Sequence, residues 1–450
     1  MTSGLDTFPA IIVMVTSTLG CGVIFLPKAF KDIGGYYGPA LLCTMGCVSL
    51  LTLFAINFAS YKHLKQRSKS EKYEVPQENG EKESGKKGEE EMTYYSVAKT
   101  HSTILALAID ISIIIQSLGC CVTYVLSLQQ WTYMLFGFKK YEWIPKILFV
   151  AVLFVLAAQK SLSSLRYVSY LSVISVVYLM FMLMFYAVYY KADMVDFAVS
   201  SGAVKGQKSG LHDSLASCIF ALGCHQNIVG VFRELKQKTL GNINRVALSS
   251  IIICSLIYLT IGQCGYIVGG DYILKDILSL FIDSAFSHYK FIKEQTFDKY
   301  LILPRIATCG FLIVMLCAFP LQQHPARDSA LNIVKMFCNL KDASEQKLYY
   351  YKVIITAIAC TLIGTVSCFI NGASTVVGFI GATATNGIMI IFPTILYALT
   401  VRKFNYKTVA SLTMTALGVI LSIYLLVMQI RTLTQSKGSA PASAAPLSIK

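Results

Sequence analysis

The lengths of the apolar segments limit what this chain can fold into more than any other feature. Eleven such segments occur, at 8–30, 38–60, 103–135, 145–159, 167–190, 211–232, 246–268, 301–322, 353–370, 374–399 and 408–430. A helix needs about 20 apolar residues to cross a bilayer. Apolar residues run on within the segments without alternating, so the segments read as helices and not as barrel strands. The fold class is all-α integral membrane, with about eleven transmembrane helices.

Composition agrees with that reading. The chain is 55% hydrophobic and 14% charged, against about 25% charged in an ordinary soluble domain. Little chain is left over for a soluble catalytic domain. The formal charge of +15 sits in the connections between segments, so it reports membrane topology and not a nucleic-acid partner. With the N-terminus cytosolic, the N-terminal tail and the connections 61–102, 160–166, 233–245, 323–352 and 400–407 hold 23 Lys and Arg against 13 acids. The other connections and the C-terminal tail hold 15 against 10. The bias favours a cytosolic N-terminus and an outside or lumenal C-terminus. No sorting signal is readable, so vacuolar, lysosomal and plasma membranes all stay open. The 14 Cys residues are dispersed through apolar segments without CxxC pairing. They read as packing residues, not as a metal site or a disulfide framework.

The organisation along the chain follows. Residues 1–61 hold spans 1 and 2, 62–102 a charged cytosolic linker, 103–190 spans 3–5 and 191–210 an outer loop. Residues 211–400 hold spans 6–10 with an outer loop at 269–300, 401–433 span 11, and 434–450 a low-complexity tail. Stretch 62–91 has eight basic and eight acidic residues and almost no apolar ones. It buries too little surface to fold, is expected to be disordered, and is a candidate docking segment for a regulatory partner. Ile273, Ile277, Leu280 and Phe281 recur at helical spacing, which predicts a short helix at the membrane surface. Trp131 and Tyr133 end span 3 as an interfacial belt would.

Two segments contain residues that do not suit a helix in lipid. Span 1 reads Thr16-Ser17-Thr18-Leu19-Gly20-Cys21-Gly22-Val23-Ile24-Phe25-Leu26-Pro27. Each Gly costs about 1 kcal/mol in a helix relative to Ala, so two close together invite unwinding. An unwound turn must face protein or a water-filled cavity, where its freed N–H groups and the helix dipole can hold a carboxylate. Close helix packing through small residues is the competing reading. Span 6 reads Phe220-Ala221-Leu222-Gly223-Cys224-His225-Gln226-Asn227. Three successive polar side chains at membrane depth point to a cavity or pathway. Breaks five spans apart, one opening each half, are the pattern of a five-plus-five inverted-repeat transporter.

At these residues the chain resembles the amino acid/auxin permease family, which includes sodium-coupled neutral amino acid transporters and fungal vacuolar amino acid transporters. The similar blocks are Gly20 to Phe30 with Gly34-Gly35, Phe220 to Asn227 with Glu234-Leu235, Phe319 to Arg327, and Gly378 to Thr383 with Pro393. The resemblance spans residues 8–400 and implies a LeuT-like fold, with an eleventh helix added to the repeat. It implies an amino acid held between spans 1, 3, 6, 8 and 10, with its carboxylate at the backbone of Gly20–Val23. The ammonium would meet the span 6 break, from Phe220 and Ala221 to Gly223 and Cys224. The sodium-coupled members place Asn four residues before the first glycine, where this chain has Thr16. Ile313 to Leu316 in span 8 likewise lack hydroxyls. Proton coupling is therefore favoured, while Ser17, Thr18 and Thr308 keep a sodium site open.

The candidate substrate-binding residues are Thr16, Ser17, Gly20, Cys21, Gly22, Val23, Gln116, Tyr124, Phe220, Ala221, Gly223 and Cys224. Gln116 and Tyr124 fall near one face of span 3. Asp110, His225 and Lys28 are the candidates for coupling or gating, because each is ionisable at membrane depth. His324, with Pro325 and Arg327, is expected to mark a structural turn at the inner end of span 8. No ATP-binding P-loop is present, so secondary active transport of an amino acid is expected without a cofactor beyond the coupling ion. An enzyme would need a His/Asp constellation that the scattered histidines do not form. An amino-acid-sensing receptor with little flux is the remaining alternative.

Overall fold

A computed structural model of the chain describes residues 4–73, 92–136, 143–158, 166–189, 210–270, 273, 275–282, 302–338, 344–370, 372–401 and 403–438. Span 1 consists of α1 (Thr7–Thr18), a 3-10 turn (Cys21–Phe25) and α2 (Leu26–Ile33), bent by 48°. Span 2 is α3 (Tyr37–Tyr73), and a short α4 (Tyr94–Lys99) follows it. Spans 3, 4 and 5 are α5 (Thr103–Phe136), α6 (Trp143–Ala157) and α7 (Arg166–Tyr189). Span 6 is α8 (Leu211–Leu222) and α9 (His225–Glu234), and span 7 is α10 (Leu240–Gly269). A short α11 (Ile277–Ile282) precedes span 8, α12 (Ile302–Cys338), and span 9, α13 (Glu345–Phe369). Span 10 is α14 (Ala373–Ile380), two π-helical turns (Gly381–Thr385 and Gly387–Ile391) and α15 (Phe392–Val401). Span 11 is α16 (Tyr406–Gly438). Among the described residues nine helices are long and apolar enough to cross a membrane, and the bent span 1 makes ten. The shorter apolar helix of span 4, Lys146–Ala157, completes the expected eleven.

The helices pack as two groups. In one, span 7 lies against both halves of span 1 and against span 2, and span 2 also contacts both halves of span 6. In the other, span 3 runs along span 8, span 8 contacts spans 4 and 5, and span 9 packs on spans 3 and 4. Spans 2 and 7, 3 and 8, and 4 and 9 each pack as pairs. Those are the mates that a five-plus-five inverted repeat brings together. Span 11 is peripheral: 17% of its apolar stretch is buried, against 67% in span 6 and 72% in span 10.

Five expectations need correction. Helix α3 continues to Tyr73, and α4 occupies 94–99, so part of the presumed linker is helical. The first is one continuous helix with span 2, and the second is nucleated by a capping box between Thr93 and Ser96. The rest of the charged stretch, 74–91, lies outside the described residues, as do most of the outer loop 191–210 and residues 439–450 of the tail. Residues 434–438 of that tail extend the span 11 helix. Helix α11 forms as expected, but it does not lie on a membrane surface. Ile273, Ile277, Leu280 and Phe281 are buried in the core, where α11 packs against span 3, span 8 and the 3-10 turn of span 1. Trp131 is likewise fully buried, with its indole donating to Asp276 at 3.3 Å and its ring edge-on to Phe311. Finally, no turn ends span 8 at His324. Helix α12 runs on through Pro320 and Pro325 to Cys338, and the Arg327 guanidinium lies 2.8 Å from the His324 ring.

Candidate functional site

The break in span 1 begins one residue before the glycine pair. Leu19 has φ −72° and ψ 73°, and the Gly20 N–H donates back to the Thr18 carbonyl at 2.8 Å. This is an inverse γ-turn. Gly20 is extended (φ −101°, ψ −160°), and the chain re-enters a helix as a 3-10 turn at Cys21. Cys21 and Gly22 open that turn, so their N–H groups have no carbonyl one turn back to bond, whereas a 3-10 turn pairs the Val23 N–H with the Gly20 carbonyl. The positive end of the helix dipole adds to them, which suits a carboxylate. Gly22 is needed for another reason: a Cβ there would stand 2.9 Å from the Ala221 Cα of span 6. At Gly20 the nearest atom to an added Cβ is the Tyr124 hydroxyl at 4.0 Å. The first glycine faces open space, and the second is where two backbones cross.

Span 6 breaks with the same turn. Gly223 has φ −78° and ψ 74°, and the Cys224 N–H donates to the Leu222 carbonyl at 3.0 Å. Side chains from neighbouring spans also meet the carbonyls at the breaks. Gln116 of span 3 donates to the Gly223 carbonyl at 3.3 Å, and Ser49 of span 2 to that of Leu222 at 3.4 Å. The Tyr258 hydroxyl of span 7 reaches two carbonyls, Thr18 of span 1 at 2.6 Å and Ala221 of span 6 at 3.2 Å. A buried unpaired carbonyl costs about 1–3 kcal/mol, so these donors keep the breaks stable in a membrane.

A cavity of about 750 Å³ lies between the two helix groups. Its size is in the range of sites for small molecules. It runs from Leu5, Phe8 and Glu234 at a mouth on the N-terminal side to Gly20, Gly22 and Gln116 at its inner end. Beside that mouth, a parallel bridge between Leu5 and Leu235 and the Asp6–Lys236 ion pair at 2.7 Å join the start of span 1 to the end of span 6. Glu234 stands at the mouth, and no Lys, Arg, His or Asp is among the described residues that line the cavity.

The cavity wall collects Thr16, Ser17, Thr18, Gly20, Cys21, Gly22, Gln116, Tyr124, Phe220, Ala221 and Gly223 from the sequence candidates. The Cys21 thiol and the Tyr124 hydroxyl are within hydrogen-bonding reach of each other. Val23 and Cys224 are on each break but off the described wall, and both are buried in core clusters. His225 also faces away: its Nε2 lies 2.9 Å from Thr52 Oγ1 and 3.2 Å from the Ser49 carbonyl, both on span 2. As the first residue of α9 it turns back toward the helix that span 6 packs on. Asp110 is buried between spans 3 and 8, where Asn332 donates to it at 3.3 Å. Lys28 is ion-paired with Asp32 at 2.6 Å, beside a separate small cavity of about 80 Å³ that Asp213 and Gln429 also line. Thr308 is buried off the wall, and its hydroxyl donates to the Pro304 carbonyl at 2.9 Å. The hydroxyls of Thr16, Ser17 and Thr18 donate to carbonyls of their own helix in the same way.

Several lining residues were not among the sequence candidates: Cys120, Tyr170, Ser172, Asn227, Val314, Met315, Ala318 and Gln322. Asn227 sits in the polar trio that marked span 6, two residues after His225, so its helical phase was the missing signal. The apolar residues carry no mark that separates a cavity wall from a core. The donors Tyr258 and Ser49 lie on spans whose patterns are unbroken.

The sequence profile of the family described as transmembrane amino acid transporter protein matches residues 4–433 of the chain. Vacuolar amino acid transporter 5 of Schizosaccharomyces pombe is 25% identical over 87% of this chain and 83% of its own length. Vacuolar amino acid transporter 6 of Saccharomyces cerevisiae is 24% identical over 94% and 97%. A sodium-coupled neutral amino acid symporter 2 of Danio rerio is 24% identical over 42% and 34%. Among solved structures, a Na+-coupled sialic acid symporter superposes with a TM-score of 0.54 at 11% identity, covering 96% of this chain and 91% of its own. A nucleobase-cation-symport-1 family transporter gives 0.52 at 11% identity, covering 98% and 94%. Two helices broken by one kind of turn, a cavity between two helix groups and a family match over nearly the whole chain agree, and the chain belongs to the transmembrane amino acid transporter family.

Proposed function

We propose that this transporter carries neutral amino acids by proton-coupled alternating access, across a vacuolar or lysosomal membrane with its N-terminus in the cytosol. The observation that carries neutrality is the charge of the cavity: past Glu234 at its mouth, no charged side chain is among the described lining residues. A charged solute side chain would lose its hydration there and find no counter-charge. The α-carboxylate and α-ammonium of a neutral amino acid have partners, the N–H groups of Cys21 and Gly22 and the carbonyls at the span 6 break. The mouth is on the N-terminal side, so with a cytosolic N-terminus the cavity is open to the cytosol. The membrane assignment is supported by relatives named as vacuolar transporters. Proton coupling is supported by Thr16, which stands where the sodium-coupled members have Asn, and by Thr308, which is off the wall that Ser17 and Thr18 share.

The test is uptake of each of the twenty proteinogenic amino acids into proteoliposomes, with pH and sodium gradients imposed separately. Neutral amino acids are expected to accumulate with a pH gradient and not with sodium alone. Accumulation driven by sodium and indifferent to pH would replace the proton by sodium. Binding without gradient-driven uptake would make the protein a receptor.

A further inference from the structure

The donors along span 7 form a row. Ser250 donates to the Ile11 carbonyl at 3.4 Å, the Cys254 thiol to Val15 at 3.9 Å and the Tyr258 hydroxyl to Thr18 at 2.6 Å. They recur every fourth residue, so they share one helical face, and that face follows α1 carbonyl by carbonyl to its last turn. Of the three, Tyr258 has the longest side chain, and its hydroxyl also lies 3.2 Å from the Ala221 carbonyl. Tyr258 is fully buried and is not part of the described cavity wall. Both of its carbonyl partners belong to residues on that wall; Thr18 opens the γ-turn of span 1, and Ala221 directly precedes that of span 6.

We infer that Tyr258 is the positioning residue that sets the distance between the carboxylate-binding and ammonium-binding halves of the substrate site. The inference rests on the transport reading above. One hydroxyl in reach of both carbonyls holds them no farther apart than two hydrogen bonds. The carbonyl of Thr18 is fixed to the chain that presents the N–H groups of Cys21 and Gly22. The carbonyl of Ala221 is fixed to the break that meets the ammonium. A hydroxyl carries one proton. The two carbonyls share it, and the Ala221 carbonyl keeps its second lone pair to accept from an ammonium. A spacing held in this way would discriminate between solutes by the number of carbons between their charged groups, one in an α-amino acid.

The experiment compares the proteinogenic amino acid taken up best in the twenty-member panel with its β homologue, which has one more carbon between the charged groups. Wild type, Tyr258→Phe and Cys254→Ala are reconstituted, and each is checked for folding by size exclusion and thermal melting. Tyr258→Phe is expected to raise the KM for the α form about fivefold, the factor one ordinary hydrogen bond carries. It should also lower the preference for the α over the β form by a similar factor while maximal uptake changes less. Cys254→Ala, in the same row but bonded to span 1, is expected to change melting without changing that preference. If Tyr258→Phe does not fold, Tyr258→His restores a ring donor and should keep part of the preference. Unchanged preference in folded Tyr258→Phe overturns the inference and leaves transport standing. A wild type that takes both forms equally overturns it without any variant. A wild type that takes up none of the twenty overturns the transport reading itself.

Discussion

The breaks in spans 1 and 6 start alike and end differently. Leu19 and Gly223 adopt the same inverse γ-turn, within a few degrees in both angles. After it, span 1 passes through extended Gly20 into a 3-10 turn and bends by 48°, while span 6 resumes an α-helix at His225 with no comparable bend. The two freed sets of backbone groups meet different fates. At span 6, the carbonyls of Ala221, Leu222 and Gly223 each have a side-chain donor, from spans 7, 2 and 3. At span 1, the freed N–H groups of Cys21 and Gly22 have no partner within their own turn. Equivalent turns in two inverted halves therefore need not give equivalent sites. The bend and the donors that neighbouring spans supply decide which groups remain for a solute.

The largest effect is expected where the two breaks touch. Gly22→Val would place a branched side chain against the Ala221 backbone, which already stands 2.9 Å from an added Cβ. Backbone cannot yield as a side-chain end can, and overpacking of this kind costs about 3 kcal/mol. Uptake should fall by about 100-fold, with the protein still inserted and monodisperse. A Gly22→Val variant that transports normally would break the comparison, because the crossing would then not be tight.

On the span 6 side the corresponding glycine meets a side chain instead. A Cβ on Gly223 would lie 2.2 Å from the Thr385 methyl of span 10. Thr385 is fully buried and must change χ1 or shift to make room, so Gly223→Ala should cost about 2 kcal/mol and raise the KM at least tenfold. Thr385→Ser removes that methyl, and the double variant is expected to recover most of the loss, as contacting residues do in a double-mutant cycle. Simple additivity of the two changes would show that span 10 does not press on the span 6 break.

Next is the seal over the span 1 turn. Helix α11 packs on that turn, and Asp276 anchors it by accepting from the Ser279 N–H at 2.8 Å and the Trp131 indole at 3.3 Å. Burial raises the Asp276 carboxyl above its ordinary range, although those bonds and the Ser279 hydroxyl pull the other way. A carboxyl with a raised folded pKa binds its proton more tightly folded than unfolded. Its contribution to stability is therefore full below the ordinary value of about 3.9 and is lost as pH rises through the raised folded value. The melting temperature should fall across that window in wild type and fall less in Asp276→Asn. Equal pH profiles would remove Asp276 from the seal.

How much of this was legible in sequence depended on whether a residue broke a pattern. The spans and both breaks were readable, since Gly20, Gly22 and the polar trio after Gly223 interrupt apolar runs that nothing else interrupts. Gln116 was readable as a polar residue on the same face as Tyr124. Tyr258 was not, because a tyrosine in an apolar helix looks like core until its hydroxyl is found on two carbonyls. The π-helical turns of span 10 were hidden for a similar reason. Gly378 to Thr383 marked the place, but a register shift of one residue leaves composition unchanged. His225 was misleading because its chemistry is suggestive, while its direction depends on where α9 restarts.

The smallest effect is expected at Gly20, and it tests the comparison most finely. Gly20 is extended and has a negative φ, so an alanine fits its backbone without strain. An added Cβ would enter space whose nearest atom is the Tyr124 hydroxyl at 4.0 Å. Gly20→Ala should therefore leave the stability within about 0.5 kcal/mol of wild type, as changes away from packed contacts do. The methyl would point into the cavity that Gly20, Cys21 and Tyr124 line, so it should compete with the solute for volume. The expected outcome is a KM raised a few-fold, about 1 kcal/mol, and more for bulky amino acids than for glycine. If Gly20→Ala lowers stability as much as Gly22→Val does, both glycines serve packing, and the open half of the span 1 break is not where the solute sits.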